Sequence, residues 1–270
     1  MDILETIIAN KRKEVALQKE VVPLNILLEL NALQLERPVS SMCKALAKSS
    51  SGIIAEFKRK SPSKGWIFPD SKVDDILPVY ESGGASACSV LTDTVFFGGS
   101  FGDISRAREL VSLPLLCKDF MVDEYQIYQA RAMGADAILL IASVLTPVDC
   151  IRLARVAFRL NMDVLLEIHS ADELNRLNPY IDMLGVNNRN LGTFDTNVNN
   201  SFQLIEHIQM EIGDDPAVPL FVSESGLSDV QTIRELRKAG FRGFLIGETL
   251  MKTPDPGKTL NELIYQINDE

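Results

Sequence analysis

Apolar residues fall at helical spacing over the first forty positions, then gather into short unbroken runs. Ile3, Ile7, Ile8, Val15 and Leu17 recur among charged residues, which predicts an amphipathic helix over 2–20. A second helix is predicted over 22–35, entered through Pro23, and Pro38 ends the region. Strand-type runs follow over 52–58, 87–91, 113–118, 137–141, 164–168, 183–187, 220–223 and 243–247. Helical patterns lie after them over 73–81, 104–111, 124–133, 147–160, 171–177, 200–212, 229–239 and 256–268. Gly134 and Gly240 stand where two of these helices should end, each leading into a strand.

The strand runs are almost wholly apolar, as parallel strands covered on both faces require. Eight strand–helix units in succession fit an α/β fold of the closed (β/α)8 type, a TIM barrel of about 250 residues. An open doubly wound sheet is the alternative. Its usual Gly-x-Gly-x-x-Gly turn after the first strand is missing. No linker or charge block divides the chain. Residues 1–270 therefore read as one barrel domain, with residues 1–45 as an N-terminal helical extension packed on it.

Composition narrows the function. A net charge of −10 argues against general nucleic-acid binding, although local lysines and arginines can still hold a small anion in a cleft. No apolar run reaches the length of a membrane span, and Met1-Asp2-Ile3-Leu4-Glu5 is too charged for a secretion signal. Cys43, Cys88, Cys117 and Cys150 are scattered, the pattern of reduced thiols in a cytoplasmic protein. His169 and His207 lack metal-ligand spacing, so no metal is expected, and no Gly-x-Ser-x-Gly elbow is present. No long exposed apolar seam is evident; a monomer is expected, with a homodimer as the alternative.

The chemistry lies at the C-terminal ends of the predicted strands. Glu56 and Lys58 are two residues apart and project from one face of the first strand. Ser61-Pro62-Ser63-Lys64-Gly65 follows as a turn with hydroxyls, a cation and free backbone donors. Later ends carry Thr92-Asp93, Lys118-Asp119, Ser143, Glu167, Asn187 with Arg189, Glu224-Ser225-Gly226 and Gly247-Glu248. A structural ring of ion pairs is the plain alternative. Alternating charge on several converging strands favours a site instead, because buried charges are expensive unless paired or used.

Ser225-Gly226 after strand seven and Gly247-Glu248 after strand eight suggest a phosphate cradle with Ser61 opposite. Glu248 fits there only through its backbone N–H; ordinary turn glycines are the alternative. His169 either orients Glu167 or is a surface histidine. Trp66 reads as a loop anchor, Phe96-Phe97 as a hydrophobic wall, and Cys117 as core.

Several blocks resemble the indole-3-glycerol-phosphate synthase family. They are Ile54-Ala55-Glu56-Phe57-Lys58-Arg59-Lys60-Ser61-Pro62-Ser63-Lys64-Gly65, Ser89-Val90-Leu91-Thr92-Asp93 and Leu116-Cys117-Lys118-Asp119-Phe120, together with Leu166-Glu167-Ile168-His169, Gly185-Val186-Asn187-Asn188-Arg189-Asn190-Leu191 and Ser223-Glu224-Ser225-Gly226. The likeness runs in order along nearly the whole chain. Phe68 stands where the family commonly has Arg, and Gly98 where it has a larger polar residue.

The resemblance implies a substrate, 1-(2-carboxyphenylamino)-1-deoxyribulose 5-phosphate. It implies closure of the indole ring with loss of carbon dioxide and water, in tryptophan biosynthesis, and no cofactor. Lys118 would protonate the ketone oxygen, with neighbouring cations and apolar walls expected to lower its pKa. Lys58 would pair with the substrate carboxylate and is a candidate acid in dehydration, where Glu167 would move a proton; the sequence leaves open which lysine is the acid in which step. Glu56 and Asn187 would orient groups, and Glu224 would stabilise the cationic nitrogen. Ser61, Arg189, Ser225, Gly226, Gly247 and Glu248 would contact substrate and phosphate. A phosphoribosylanthranilate isomerase-like enzyme and a non-catalytic phosphate-binding barrel are the alternatives.

Overall fold

In a computed structural model that describes residues 3–190, 192–212 and 218–269, the apolar runs form the staves of a closed parallel barrel. The strands are β1 (Ile53–Phe57), β2 (Ala87–Leu91), β3 (Leu115–Lys118), β4 (Ala137–Ile141), β5 (Asp163–Ile168), β6 (Met183–Asn187), β7 (Leu220–Glu224) and β8 (Gly243–Ile246). Each pairs with its sequence neighbour, and β1 closes on β8 with Ile53 opposite Phe244 and Ala55 opposite Ile246. Residue 2, the predicted start of the first helix, and Leu191 of the motif above lie outside the described residues.

Strand parity decides what faces the axis. Ile54, Leu116, Leu165, Met183, Val222 and Leu245 pack together inside the barrel. Their neighbours Ile53, Ala55, Cys117, Leu166 and Val186 pack outward against the helices. Cys117 is therefore core, as expected. The same two-residue period carries Glu56, Lys118, Glu167, Asn187 and Glu224 onto the inward side at the upper rim.

Four N-terminal helices precede β1: α1 (Ile3–Val21), α2 (Leu24–Leu30), α3 (Ala32–Glu36) and α4 (Met42–Lys48). α2 and α3 replace the single helix predicted over 22–35. The break falls at Asn31, whose side-chain amide donates to the Leu27 carbonyl (2.8 Å) and competes with helix continuation. α4 was not foreseen. Ser41 caps it, and its Met42 and Leu46 are fully buried in the inner cluster, worth about 1.5–3 kcal/mol each.

The remaining helices are α5 (Val73–Ser82), α6 (Thr94–Phe97), α7 (Phe101–Leu110), α8 (Glu124–Ala132), α9 (Pro147–Arg159), α10 (Asn199–Ile212), α11 (Val230–Ala239), α12 (Glu248–Met251) and α13 (Pro256–Asn268). The helix predicted over 171–177 is a 3₁₀ segment, Ala171–Arg176, too short for α-helical propagation before Pro179. A small antiparallel hairpin, Lys60–Ser61 with Gly65–Trp66, stands above β1.

Candidate active site

A cavity of about 490 Å³ opens at the upper rim, lined by Glu56, Lys58, Lys118, Glu167 and Asn187 from the strand ends. Its far end is lined by Ser61, Ser225, Gly226, Gly247 and Glu248. The structure thus brings these strand-end residues around one cavity, whereas Thr92 and Asp93 are buried outside its lining and Ser143 is exposed. Glu224 does not line the cavity itself but accepts from Lys118, which does. Glu56, Glu167 and Glu224 are only 1–3% exposed, so each carboxylate needs a partner.

The two lysines divide those partners. Lys58 Nζ donates to Glu56 Oε1 at 2.5 Å. Lys118 Nζ donates to Glu224 Oε2 at 2.6 Å and to Glu167 Oε2 at 3.3 Å. The expectation of a lowered Lys118 pKa is overturned. Burial does oppose its charge, but Glu224, Glu167 and Glu56 outweigh that and hold the ammonium well above the usual lysine range. Its neighbours are carboxylates, not cations.

The same arithmetic separates the acids. Burial works against the ionised form of Glu167, yet Lys118, His169 and the Asn187 amide bring its pKa below the ordinary carboxylate value. Glu56 is also lowered against burial, chiefly by Lys58 and then Lys118. Glu224 is pushed up to about 7, because burial and the nearby Glu167 outweigh Lys118. Three acids facing two lysines cannot all ionise at equal cost, and Glu224 is where the excess falls.

Glycines make this crowding feasible. A Cβ at Gly185 on β6 would lie 2.3 Å from Glu224 Oε1, and one at Gly247 would lie 2.3 Å from Glu56 Oε1. Gly185 lay in a matched motif but carried no sign of this role, since a strand glycine shows nothing of the neighbouring strand's side chain. The histidine alternative resolves toward the site. The His169 ring is largely buried, with Nε2 3.5 Å from Glu167 Oε1 and Nδ1 3.7 Å from Glu173 Oε2. Burial disfavours its charge, but Glu173 and Glu167 raise its pKa.

At the far end, Ser225 and Gly226 both have left-handed backbone (φ 69° and 77°), which turns the chain sharply after β7. Gly247 stands at the N-terminus of α12. Ser61 is buried, and Ser63, Lys64 and Lys252 line the same end. Sequence reasoning missed Lys252, which shares no motif with the strand ends. The Glu248 carboxylate is taken up by Arg189 Nη2 (3.1 Å), while Arg189 Nη1 donates to Ser63 Oγ (3.2 Å).

The opposite wall is apolar. Ile3, Leu4 and Ile7 of α1 meet Phe97 and Phe120, whose ring centroids are 6.0 Å apart. Of the predicted Phe96-Phe97 wall, Phe97 lines the cavity, while Phe96 packs on the inner cluster outside the lining. Trp66 anchors its loop: its ring lies against Gly98, where a Cβ would come within 2.9 Å, and under the Lys60 ammonium. Gly98 also has left-handed backbone (φ 67°), so both its conformation and the ring beside it favour glycine.

Among the described residues no cluster of His, Cys, Asp and Glu suits a metal ion, and no helix is long and apolar enough to cross a membrane. Fold and site together define a (β/α)8 barrel whose buried acids and lysines face one cavity beside the turns after β7 and β8. The family described as indole-3-glycerol phosphate synthase matches residues 4–263. An indole-3-glycerol phosphate synthase of Bacteroides thetaiotaomicron is 55% identical over 98% of this chain and 99% of its own length. One from Prochlorococcus marinus is 41% identical over 98% of this chain and 90% of its own. A thiamine phosphate pyrophosphorylase from Pyrococcus furiosus shares the fold alone, with a TM-score of 0.57 and 16% identity over 82% of this chain and 96% of its own. The chain belongs to the indole-3-glycerol phosphate synthase family, carboxy-lyases of tryptophan biosynthesis.

Proposed function

We propose that the cavity closes the indole ring of 1-(2-carboxyphenylamino)-1-deoxyribulose 5-phosphate, with the aromatic ring on the apolar wall and the phosphate at the far end. The observation that carries the proposal is the Lys118 ammonium, held between Glu224 and Glu167 in the cavity that also contains Lys58 and the turns after β7 and β8.

The ring carbon bearing the carboxylate attacks the ketone carbon, and a carbon–carbon bond forms. Charge developing on the ketone oxygen meets the Lys118 ammonium, which passes its proton there. The ring nitrogen becomes cationic and Glu224 offsets that charge. Carbon dioxide then leaves, its bonding electrons neutralising the nitrogen. Lys58, paired with the substrate carboxylate until this step, protonates the departing hydroxyl, and Glu167 takes the proton lost as the indole forms.

The separate partners of the two lysines support this division. Lys118 pairs with Glu224 and Glu167, whereas Lys58 pairs with Glu56. The low pKa of Glu167 suits a proton acceptor ionised at neutrality, and the raised one of Glu224 suits a group whose charge responds to the nitrogen. Glu56 and Asn187 orient Lys58 and Glu167. Ser61, Arg189, Ser225, Gly226, Gly247 and the Glu248 backbone hold the phosphate side.

A monomeric, cytoplasmic protein, one barrel domain with residues 1–45 as its helical extension, belongs to the same proposal. Adding the substrate to the purified chain should produce the fluorescence of an indole with release of carbon dioxide. Substrate that binds but is never converted would leave a ligand-binding barrel in place of an enzyme.

A further inference from the structure

A buried lysine lies outside the array described above. Lys11, on α1, is 1% exposed. Its ammonium lies 2.9 Å from Asp119 Oδ1, 3.0 Å from Asp93 Oδ2 and 3.1 Å from Glu14 Oε2. Asp93 follows β2 and Asp119 follows β3, so a single charge joins α1 to two rim loops.

Each aspartate also holds the loop that carries a wall residue. Asp93 Oδ1 accepts from the Phe96 backbone N–H (2.7 Å), capping α6, which ends at Phe97. Asp119 Oδ1 accepts from the Phe120 backbone N–H (2.7 Å), and its Oδ2 accepts from the Thr92 hydroxyl (2.7 Å). On α1, Ile7 is four residues before Lys11 and Ile3 eight, so all three share one face. The three apolar wall segments of the cavity therefore converge on this ammonium. Asp119 is also the residue next to Lys118.

We propose that Lys11 is a positioning residue for substrate: it fixes α1, Phe97 and Phe120 in one arrangement and thereby sets the apolar half of the cavity. The proposal deepens the functional assignment above, on which its substrate readout rests. Its reach stops at the ring. The phosphate end is built from Ser61, Gly226 and Gly247, none of which Lys11 touches. Loss of the charge leaves two buried aspartates repelling each other across the seam, so α1 loosens from the rim.

The test compares wild type with Lys11→Met in steady-state turnover, in inhibition by inorganic phosphate, and in amide hydrogen exchange over residues 3–10. The expected result is a KM raised on the order of tenfold or more, equal to about 1.4 kcal/mol per decade. kcat stays within about threefold, the phosphate inhibition constant is unchanged, and exchange over 3–10 is faster. Lys11→Gln, which keeps hydrogen-bond donors on a side chain one atom shorter and without the charge, serves if the Met variant does not fold, and should show the same split to a smaller degree. Unchanged KM in a folded variant overturns the proposal. So does a parallel loss of phosphate affinity and kcat, the mark of a merely structural lysine. An inactive wild-type chain would instead refute the synthase assignment, and the exchange comparison would still decide whether Lys11 anchors α1.

Discussion

Glu224 gives the most direct route from this site to a measurable energy. Its carboxyl is held at about 7 in the folded chain against 4.5 in an ordinary one. The sign follows from that order. A carboxyl whose folded pKa is raised contributes stability when protonated; this is present below about pH 4.5 and is lost as the pH rises through about 7. At 1.36 kcal/mol per pKa unit, the loss across the window is about 3 kcal/mol.

Glu224→Gln mimics the protonated group at every pH, so its stability should lack that decline. The difference between variant and wild type should therefore grow by about 3 kcal/mol between pH 4.5 and pH 8, with the variant gaining. For a chain of this size that corresponds to a relative shift in Tm of roughly 6–12 °C. Thermal melts of both proteins in matched buffers at the two pH values measure it. A difference that stays constant, or that grows in favour of wild type at high pH, would show that Lys118 neutralises Glu224 fully and that the excess charge falls elsewhere.

Other consequences follow from the same geometry. Lys118→Ala and Glu167→Gln should each lower kcat by about 10²–10⁴-fold while far-UV circular dichroism is retained; near-normal rates in both would remove the mechanism. Gly185→Ala places a methyl against Glu224 and should destabilise the barrel by about 1–3 kcal/mol. Combining it with Glu224→Ala should recover most of that loss, and additive effects in a double-mutant cycle of urea melts would refute the clash. Gly247→Ala should displace Glu56 and reduce turnover by more than tenfold, about 1.4 kcal/mol in the barrier, checked against Lys58→Ala as the parallel lesion.

Barrel architecture and most of the acid–base array were legible because both rest on local rules. Apolar runs mark buried parallel strands, and the two-residue period carries Glu56 and Lys58 to one face whatever their surroundings. What escaped depends on contacts between distant segments. The expected fall in the Lys118 pKa failed because sequence cannot say that its nearest groups are Glu224 and Glu167, dozens of residues away. Lys11 interrupts the apolar face of α1 between Ile7 and Val15, but only the fold shows the acids from two rim loops that bury it. α4, α6 and α12 are 7, 4 and 4 residues long, too short to show a helical period.

The pairing of β1 with β8 has a consequence for biosynthesis of the chain. The first stave must wait, one edge unsatisfied, while nearly two hundred residues are added between Phe57 and Gly243. A nascent polypeptide on the ribosome therefore carries an open, sticky border until its last stave emerges. Residues from both sides of that seam line the cavity, so it is complete only when translation has delivered β8 and the ring snaps shut.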